Sequence, residues 1–245
     1  MTDTAPRARS VAPSPPPFTL PVADGTPSRR GLGRVAGIAA LVEAATFVFG
    51  IALFVTVLAD YGSGDLSVAE SVRFLTDHQG ALHLWYIVSY IAFGVALVPL
   101  SLGLHDRLRE RAPELSRTAA AFGLIWAGLV LAAGMIANVG VGLVADLAGG
   151  ADAAQADALW SALEAVQDGL GGGNEVAGGV WVLLVSVAAL RTRALPRGLN
   201  VLGIVSAIAG IVTVVPGLTD VGIVFGLGLI VWFAWLGVVL VRDAR

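Results

Sequence analysis

The stretch Thr118–Val144 reads TAAAFGLIWAGLVLAAGMIANVGVGLV and contains no charged residue. A helix needs about 20 apolar residues to cross the hydrocarbon core of a bilayer, so this stretch predicts a transmembrane helix. Five further apolar runs indicate the same structure. The sequence therefore predicts an all-α, polytopic membrane protein with six transmembrane helices. The predicted spans are Gly33–Leu58, Ala81–Leu104, Thr118–Val144, Glu175–Leu190, Gly198–Val215 and Val221–Val241.

The composition of the whole chain agrees with this prediction. Of its 245 residues, 56% are hydrophobic and 13% are charged, and the mean hydropathy is +0.82. A soluble domain has about 25% charged residues, so the composition excludes an ordinary soluble enzyme. The chain has no cysteine, which excludes disulfides, thiolate nucleophiles and cysteine-ligated metal clusters. All fifteen basic residues are arginine, and with abundant Ala, Gly and Val this usage indicates a GC-rich bacterial genome.

The first thirty residues differ from the rest of the chain. They are rich in Pro, Ala, Ser and Thr, and they include the run Ser14–Pro17. Such a segment has too little apolar content to offset the entropy of ordering it. We expect residues 1–30 to form a disordered cytoplasmic tail and residues 31–242 to form the six-span bundle. A proline-rich ligand motif is the alternative interpretation of the tail.

The distribution of arginine predicts the orientation in the membrane, because basic loops are retained on the cytoplasmic side. With six spans, fourteen arginines fall on one side and only Arg73 falls on the other. The arginine-rich side also carries six acidic residues, for a net charge of +8, whereas Arg73 shares its side with eleven, for −10. The sequence thus predicts a bacterial cytoplasmic membrane protein with both termini cytoplasmic.

Two segments on the predicted extracytoplasmic side are too long to be turns. In the first, Ser67 and Glu70 have the spacing of a capping box, which marks the start of a helix. In the second, apolar residues recur at helical spacing, with Trp160 beside them. This set comprises Leu159, Leu163, Val166 and Leu170. Both segments predict short extracytoplasmic amphipathic helices that lie at the interface or cap the bundle, and a partner-binding surface is the alternative.

Glu43 is the one acidic or basic residue near the middle of a predicted span, about 15 Å from the cytoplasmic edge. An ionised carboxylate at this depth is costly, so we expect Glu43 to face the bundle interior, to be paired or to be protonated. It is then either a proton or ligand site, or a neutral side chain that holds neighbouring helices together.

Other polar residues at matching depths could join Glu43 in a polar track that opens outward. Ser89 and Tyr90 fall near the middle of the second span, and Tyr86 lies one turn away. Asn138 falls in the outer half of the third span, and the fourth span begins at Asn174 and Glu175. The candidate intramembrane site is therefore Glu43, Tyr86, Ser89, Tyr90, Asn138, Asn174 and Glu175.

The sequence predicts no cofactor, no catalytic set and no metal site. Asp77, His78 and His83 lie together at the start of the second span, but the two histidines are five residues apart, a poor spacing for ligands on one helix face. We interpret them as interfacial polar residues. The glycine-rich run 169–174 lacks the Lys-Ser/Thr ending of a phosphate-binding loop.

Two stretches resemble a known family. Gly33-Arg34-Val35-Ala36-Gly37 is similar to the R-x-A-G start of the first helix in the bacterial membrane proteins of "domain of unknown function 4386". Leu195–Gly203 resembles that family's P-R-x-L-G-x-L-G motif before a late helix, with Asn200 in place of the usual glycine. The resemblance implies the six-span architecture over residues 31–242. It implies no activity and no site.

Two functions remain open from the sequence. The first is a non-catalytic membrane scaffold or regulatory subunit, and the alternative is a small transporter or permeation protein with a polar track around Glu43. A lipid- or quinone-modifying enzyme is disfavoured because ionisable residues do not cluster. The expected partners are the lipid bilayer and a membrane protein or second copy of the chain, not nucleic acid. A water-accessible cavity that reaches Glu43 favours transport, and a dry, closed bundle favours the scaffold.

Overall fold

The computed structural model describes residues 29–59, 66–150, 152–170, 175–215 and 217–245. The proposed tail at residues 1–28 lies outside these ranges. The described part of the chain is all-α and contains no strand. Its principal helices are α1 (Arg29–Thr56), α2 (Val68–Asp77), α3 (Gln79–Leu108), α4 (Pro113–Ala148), α5 (Ala153–Gly169), α6 (Glu175–Thr192), α7 (Arg197–Val212) and α8 (Gly222–Asp243).

Five of these helices are long and apolar enough to cross a membrane, namely α1, α3, α4, α6 and α8. The sixth, α7, is apolar but has only 16 residues. Each predicted span overlaps one of these six helices. The chain is therefore a multi-pass membrane protein.

The six helices form a closed ring in which each packs against its two neighbours in the order α1, α3, α4, α6, α7, α8 and back to α1. Close contacts at glycines give the direction of each pair. Gly103 of α3 lies against Ala36 of α1, whereas Gly50 of α1 lies against Ser89 of α3, so these two helices are antiparallel. The same pattern holds around the ring, and α8 closes it by packing Gly237 against Leu41 of α1.

Polar contacts tie the chain together at the end of the ring that carries most arginines, which we call the arginine end. Arg107 donates to the Asp243 carboxylate at 2.6 Å and to the carbonyl oxygen of Ala194 at 2.9 Å. Arg111 donates to the carbonyl oxygen of Thr192. These contacts link α3 and the residues after it to the end of α6, the loop before α7 and the end of α8.

Helices α2 and α5 cover the opposite end, which we call the capped end. The predicted capping box of α2 is confirmed, since the backbone N–H of Ser67 donates to the Glu70 carboxylate at 2.8 Å and Ser67 Oγ accepts from the backbone N–H of Glu70. Helix α5 packs on α4 and α2 through Ala156 and Trp160. Val166, expected on the apolar face, is 45% exposed, because the large ring of Trp160 sets which face of α5 docks.

Candidate functional site

Glu43 lies on the face of α1 that points into the ring. Its side chain is fully buried, and within the described residues neither carboxyl oxygen has a hydrogen-bond partner. One turn further along α1, Thr46 Oγ1 donates to the backbone carbonyl of Glu43 at 2.9 Å. A buried polar group without a partner is costly in free energy, so this position calls for an explanation.

A connected set of aromatic rings lies inside the ring of helices and begins one turn from Glu43. Phe47, one turn from Glu43, contacts Phe93 edge-to-face with ring centroids 5.4 Å apart. Phe93 contacts Trp126 at 5.2 Å, Trp126 contacts Trp181 at 5.7 Å, and Trp181 stacks on Phe233 at 6.3 Å. The Glu43 side chain, one turn from the first of these rings, has no exposed surface.

Like the Glu43 carboxyl oxygens, several other buried polar atoms in the described residues lack a hydrogen-bond partner. In the described part of the chain, Oγ of Ser101 and Nε1 of Trp181 lack partners, and both face Gly123 of α4. Ser186 Oγ and Trp232 Nε1 also lack partners, and both face Gly203 of α7. A glycine is required at each place because an added Cβ would collide with the serine and the indole. The sequence does not indicate this arrangement, because it gives the positions of the glycines, serines and tryptophans but not which of them are in contact.

A cavity of about 420 Å³ lies on the capped-end side of this core, between α1, α3 and α4, and we call it the apolar cavity. Thr46 and Phe47 of α1 line it together with Ser89, Tyr90 and Trp126. Helix α3 is a π-helix over Ile87–Ala92, the segment that carries Ser89 and Tyr90. Such π-helical turns occur frequently at functional sites. Glu43 is not among the lining residues.

A second cavity, of about 370 Å³, lies at the capped end between α3, α4 and α5, and we call it the aromatic vestibule. Four aromatic side chains line it, namely Trp85, Tyr86, Tyr90 and Trp160. The lining also includes Gln167, whose side-chain amide donates to the carbonyl oxygen of Ala133 at 2.8 Å. Trp85 and Tyr90 line both cavities, so the vestibule and the apolar cavity adjoin at these two rings.

Two carboxylates of α5, Glu164 and Asp168, complete the lining of the vestibule. Both residues are exposed, so the vestibule reaches the protein surface. Partial burial raises the pKa of the Glu164 carboxyl, a hydrogen bond with Trp160 lowers it, and the nearby Asp168 carboxylate raises it. The vestibule is therefore a pocket of aromatic faces with negative charge at its rim.

Residues 35–242 match the family model described as "Domain of unknown function (DUF4386)". The chain belongs to this family. The matched region includes most of α1 and α8, the whole of the other four ring helices and both cavities, and it confirms the resemblance that the two sequence motifs carry. No match was found among the curated proteins or among the solved structures. The description of DUF4386 assigns no activity, so the function has to be argued from the geometry.

The polar residues that the sequence grouped with Glu43 lie elsewhere in this DUF4386 protein. Ser89 and Tyr90 line the apolar cavity, and Ser89 Oγ faces Gly50, seven residues or about 10 Å along α1 from Glu43. Tyr86 is buried and lines the vestibule. The structure thus assembles these three residues with each other, nearer the capped end than Glu43.

The remaining predicted site residues have other surroundings. Asn138 Oδ1 lies 2.7 Å from Nδ1 of His83, so these two side chains pair with each other. Glu175 begins α6, and its side chain lies beside Gly222 of α8. Asn174 lies outside the described residues.

The histidines at the start of α3 have protein partners. His78 stacks on Phe74, and its Nδ1 lies 3.0 Å from the carbonyl oxygen of Phe74. Across the ranges that the structure describes, no group of three His, Cys, Asp or Glu side chains could hold a metal ion.

Proposed function

We propose that this DUF4386 protein spans the membrane six times, with α7 as the additional span. Gly203 of α7 lies against Ser186 of α6 and Trp232 of α8, and Gly210 lies against the opposite ends of the same two helices. Helix α7 therefore runs antiparallel along both neighbours, and its 16 residues extend about 24 Å. In addition, a closed ring of alternately directed helices requires an even number of members. Both arguments support six spans.

The orientation follows from the charges at the two ends of the ring. At the capped end, Arg73 is the one arginine that the structure describes, and acidic residues accompany it on α2, α4, α5 and α6. The arginine end carries the remaining described arginines. The preference of basic segments for the cytoplasm supports cytoplasmic termini and an extracytoplasmic capped end, in the cytoplasmic membrane of a bacterium.

The function that this geometry supports best is that of a non-catalytic membrane scaffold or regulatory subunit. The observation that carries the proposal is the closed core around Glu43. The carboxyl group is fully buried, lines neither cavity, and lies next to a continuous set of aromatic contacts. A transport pathway requires its charged group to meet water or substrate, whereas a structural bundle requires only that its core be packed.

A permeation protein is the second candidate, and one observation favours it. The vestibule and the apolar cavity adjoin at Trp85 and Tyr90, and the apolar cavity ends at Phe47, one turn from Glu43. Rearrangement of the Phe47 and Phe93 rings would extend this route to the carboxyl group. The two candidates therefore differ in whether the aromatic core opens.

Flux measurements in proteoliposomes distinguish them. Proton flux, and the flux of choline as a small organic cation, are measured under an imposed gradient. The samples are the wild type, Glu43→Gln and empty liposomes. The scaffold proposal predicts that the wild type and the variant both match empty liposomes. A flux above that level that Glu43→Gln abolishes would overturn the proposal and establish permeation. Gly128→Ala, at an open position on α4, serves as a control for reconstitution.

A further inference from the structure

The aromatic vestibule combines two features that recognise the same kind of ligand. Trp85, Tyr86 and Tyr90 form one wall, with ring centroids 5.0 to 5.6 Å apart, and Trp160 of α5 contributes a fourth ring to the lining. The electron-rich face of an aromatic ring attracts a cation, and several rings around one pocket favour a quaternary ammonium group. Carboxylates on the rim add attraction for the same positive charge.

Two features of α5 make the negative charges at the rim of the vestibule mildly unfavourable. Glu164 and Asp168 are four residues apart, so they lie on the same face of the helix and repel each other. Asp168 also lies in the last turn of α5, which contains no basic residue, and a negative charge there opposes the helix dipole. Both carboxylates line the vestibule, where a bound cation would offset these two repulsions.

The surroundings select against other ligand classes. Apart from the hydroxyl and indole N–H groups of its aromatic residues, the lining supplies two carboxylates and one amide, and the Gln167 amide already donates to Ala133. An anion would find no basic residue in the lining, and a small inorganic cation would find mostly aromatic carbon where it needs oxygen ligands. The volume of about 370 Å³ is within the range of small-molecule sites, about 300 to 1,000 Å³.

We infer that the aromatic vestibule is a binding site for an organic cation of the quaternary or alkylated ammonium class. The positive group lies against the rings of Trp85, Tyr86 and Trp160, and the Glu164 and Asp168 carboxylates attract it from the rim. The apolar part of a larger ligand extends past Trp85 and Tyr90 towards the apolar cavity. This inference goes beyond the proposed scaffold or regulatory function, because the site binds whether or not the bundle conducts.

The probe for the test is choline, with 3,3-dimethylbutan-1-ol as its uncharged counterpart of the same shape. Binding of each is measured by equilibrium dialysis on the full-length protein in detergent at constant ionic strength. The inference predicts saturable choline binding and at least about tenfold weaker binding of the alcohol. Equal binding of the two probes, or no choline binding, would overturn it.

Charge variants locate the site. Glu164→Gln with Asp168→Asn removes both rim carboxylates from exposed positions, so the fold is expected to persist. We expect choline affinity to fall about tenfold. The matched control is Asp146→Asn with Asp157→Asn, which removes the same charge from the capped end but changes no lining residue. An equal loss in the control pair would contradict the site and indicate a general electrostatic attraction instead.

The comparison of the two probes needs no variant, so it holds even if a substitution lowers stability. The result is also independent of the flux measurement. Choline binding without flux supports both proposals, and choline binding with Glu43-dependent choline flux supports the site but overturns the scaffold. Absence of both choline binding and flux overturns the site alone.

Discussion

The two halves of the bundle are packed differently. On the arginine-end side, aromatic rings pack inside the ring of helices, and Glu43 is fully buried without a partner among the described residues. Towards the capped end, two cavities lie beside the π-helical turn of α3. The buried carboxyl and the accessible pockets therefore belong to separate regions, although the sequence predicts that they form one polar track.

The largest expected effect tests the close packing of the sealed half. Gly123→Leu would drive a side chain into Ser101 and the Trp181 indole, neither of which has space to move. We expect a loss of about 3 kcal/mol in stability, or failure to fold. The measurement is the thermal unfolding midpoint in detergent.

The matched control lies on the same helix. Gly128 has no atom within 4 Å of an added Cβ, so Gly128→Leu is expected to leave the midpoint unchanged or slightly raised. Similar destabilisation by both substitutions would contradict the interpretation that Gly123 is tightly packed and Gly128 is not.

A second prediction concerns Glu43 itself. Glu43→Met replaces an unpartnered buried carboxyl with an apolar side chain of similar volume, so we expect it to stabilise the protein by about 1 to 3 kcal/mol. Glu43→Gln keeps a buried polar group and is expected to change stability little. Unfolding midpoints of the two variants measure the difference. If Glu43→Met were strongly destabilising, the carboxyl would have to make an interaction that holds the bundle together.

The smallest effect concerns the capped end. Hydrogen bonds from the Ser67 side chain and backbone lower the pKa of the Glu70 carboxyl below its ordinary value. Because this pKa is lower in the folded protein, the capping contribution is complete above about pH 4.5 and disappears as the pH falls through the folded-state pKa. We expect the amide protection factors of α2, which are corrected for the intrinsic pH dependence of exchange, to fall at low pH.

Glu70→Gln retains an acceptor for Ser67 but does not titrate, so it serves as the control. Its α2 amides should lack the additional loss of protection seen in the wild type at low pH. The same pH dependence in both proteins would show that another group is responsible.

The sequence predicted what depends on local pattern. The uncharged run of α4 indicates a span by itself, and Ser67 with Glu70 indicates a helix start, because both signals lie within a few residues. The match over residues 35–242 likewise confirms the family that short motifs around Arg34 and Pro196 indicated.

The cavities and the position of the π-helical turn depend on tertiary packing, which the sequence does not show. Trp85 and Trp160 are far apart in sequence and line one cavity only because α5 docks on α4. Likewise, the segment IVSYIA gives no local sign of the π-helical turn that places Ser89 against Gly50. Tyr86, Ser89 and Tyr90 were grouped with Glu43 only because of their predicted depth in the membrane. The rise of the helix places them about two turns from Glu43.

The most direct test of the sealed and open halves uses the absence of native cysteine. Single variants Leu163→Cys, in the vestibule, and Ala40→Cys, fully buried one turn from Glu43, are reconstituted and exposed to a trimethylammonium methanethiosulfonate reagent. We expect rapid modification of the Leu163→Cys variant, and choline should slow it. We expect no modification of the Ala40→Cys variant until the protein is unfolded. Modification of the folded Ala40→Cys variant at a comparable rate would contradict the sealed core.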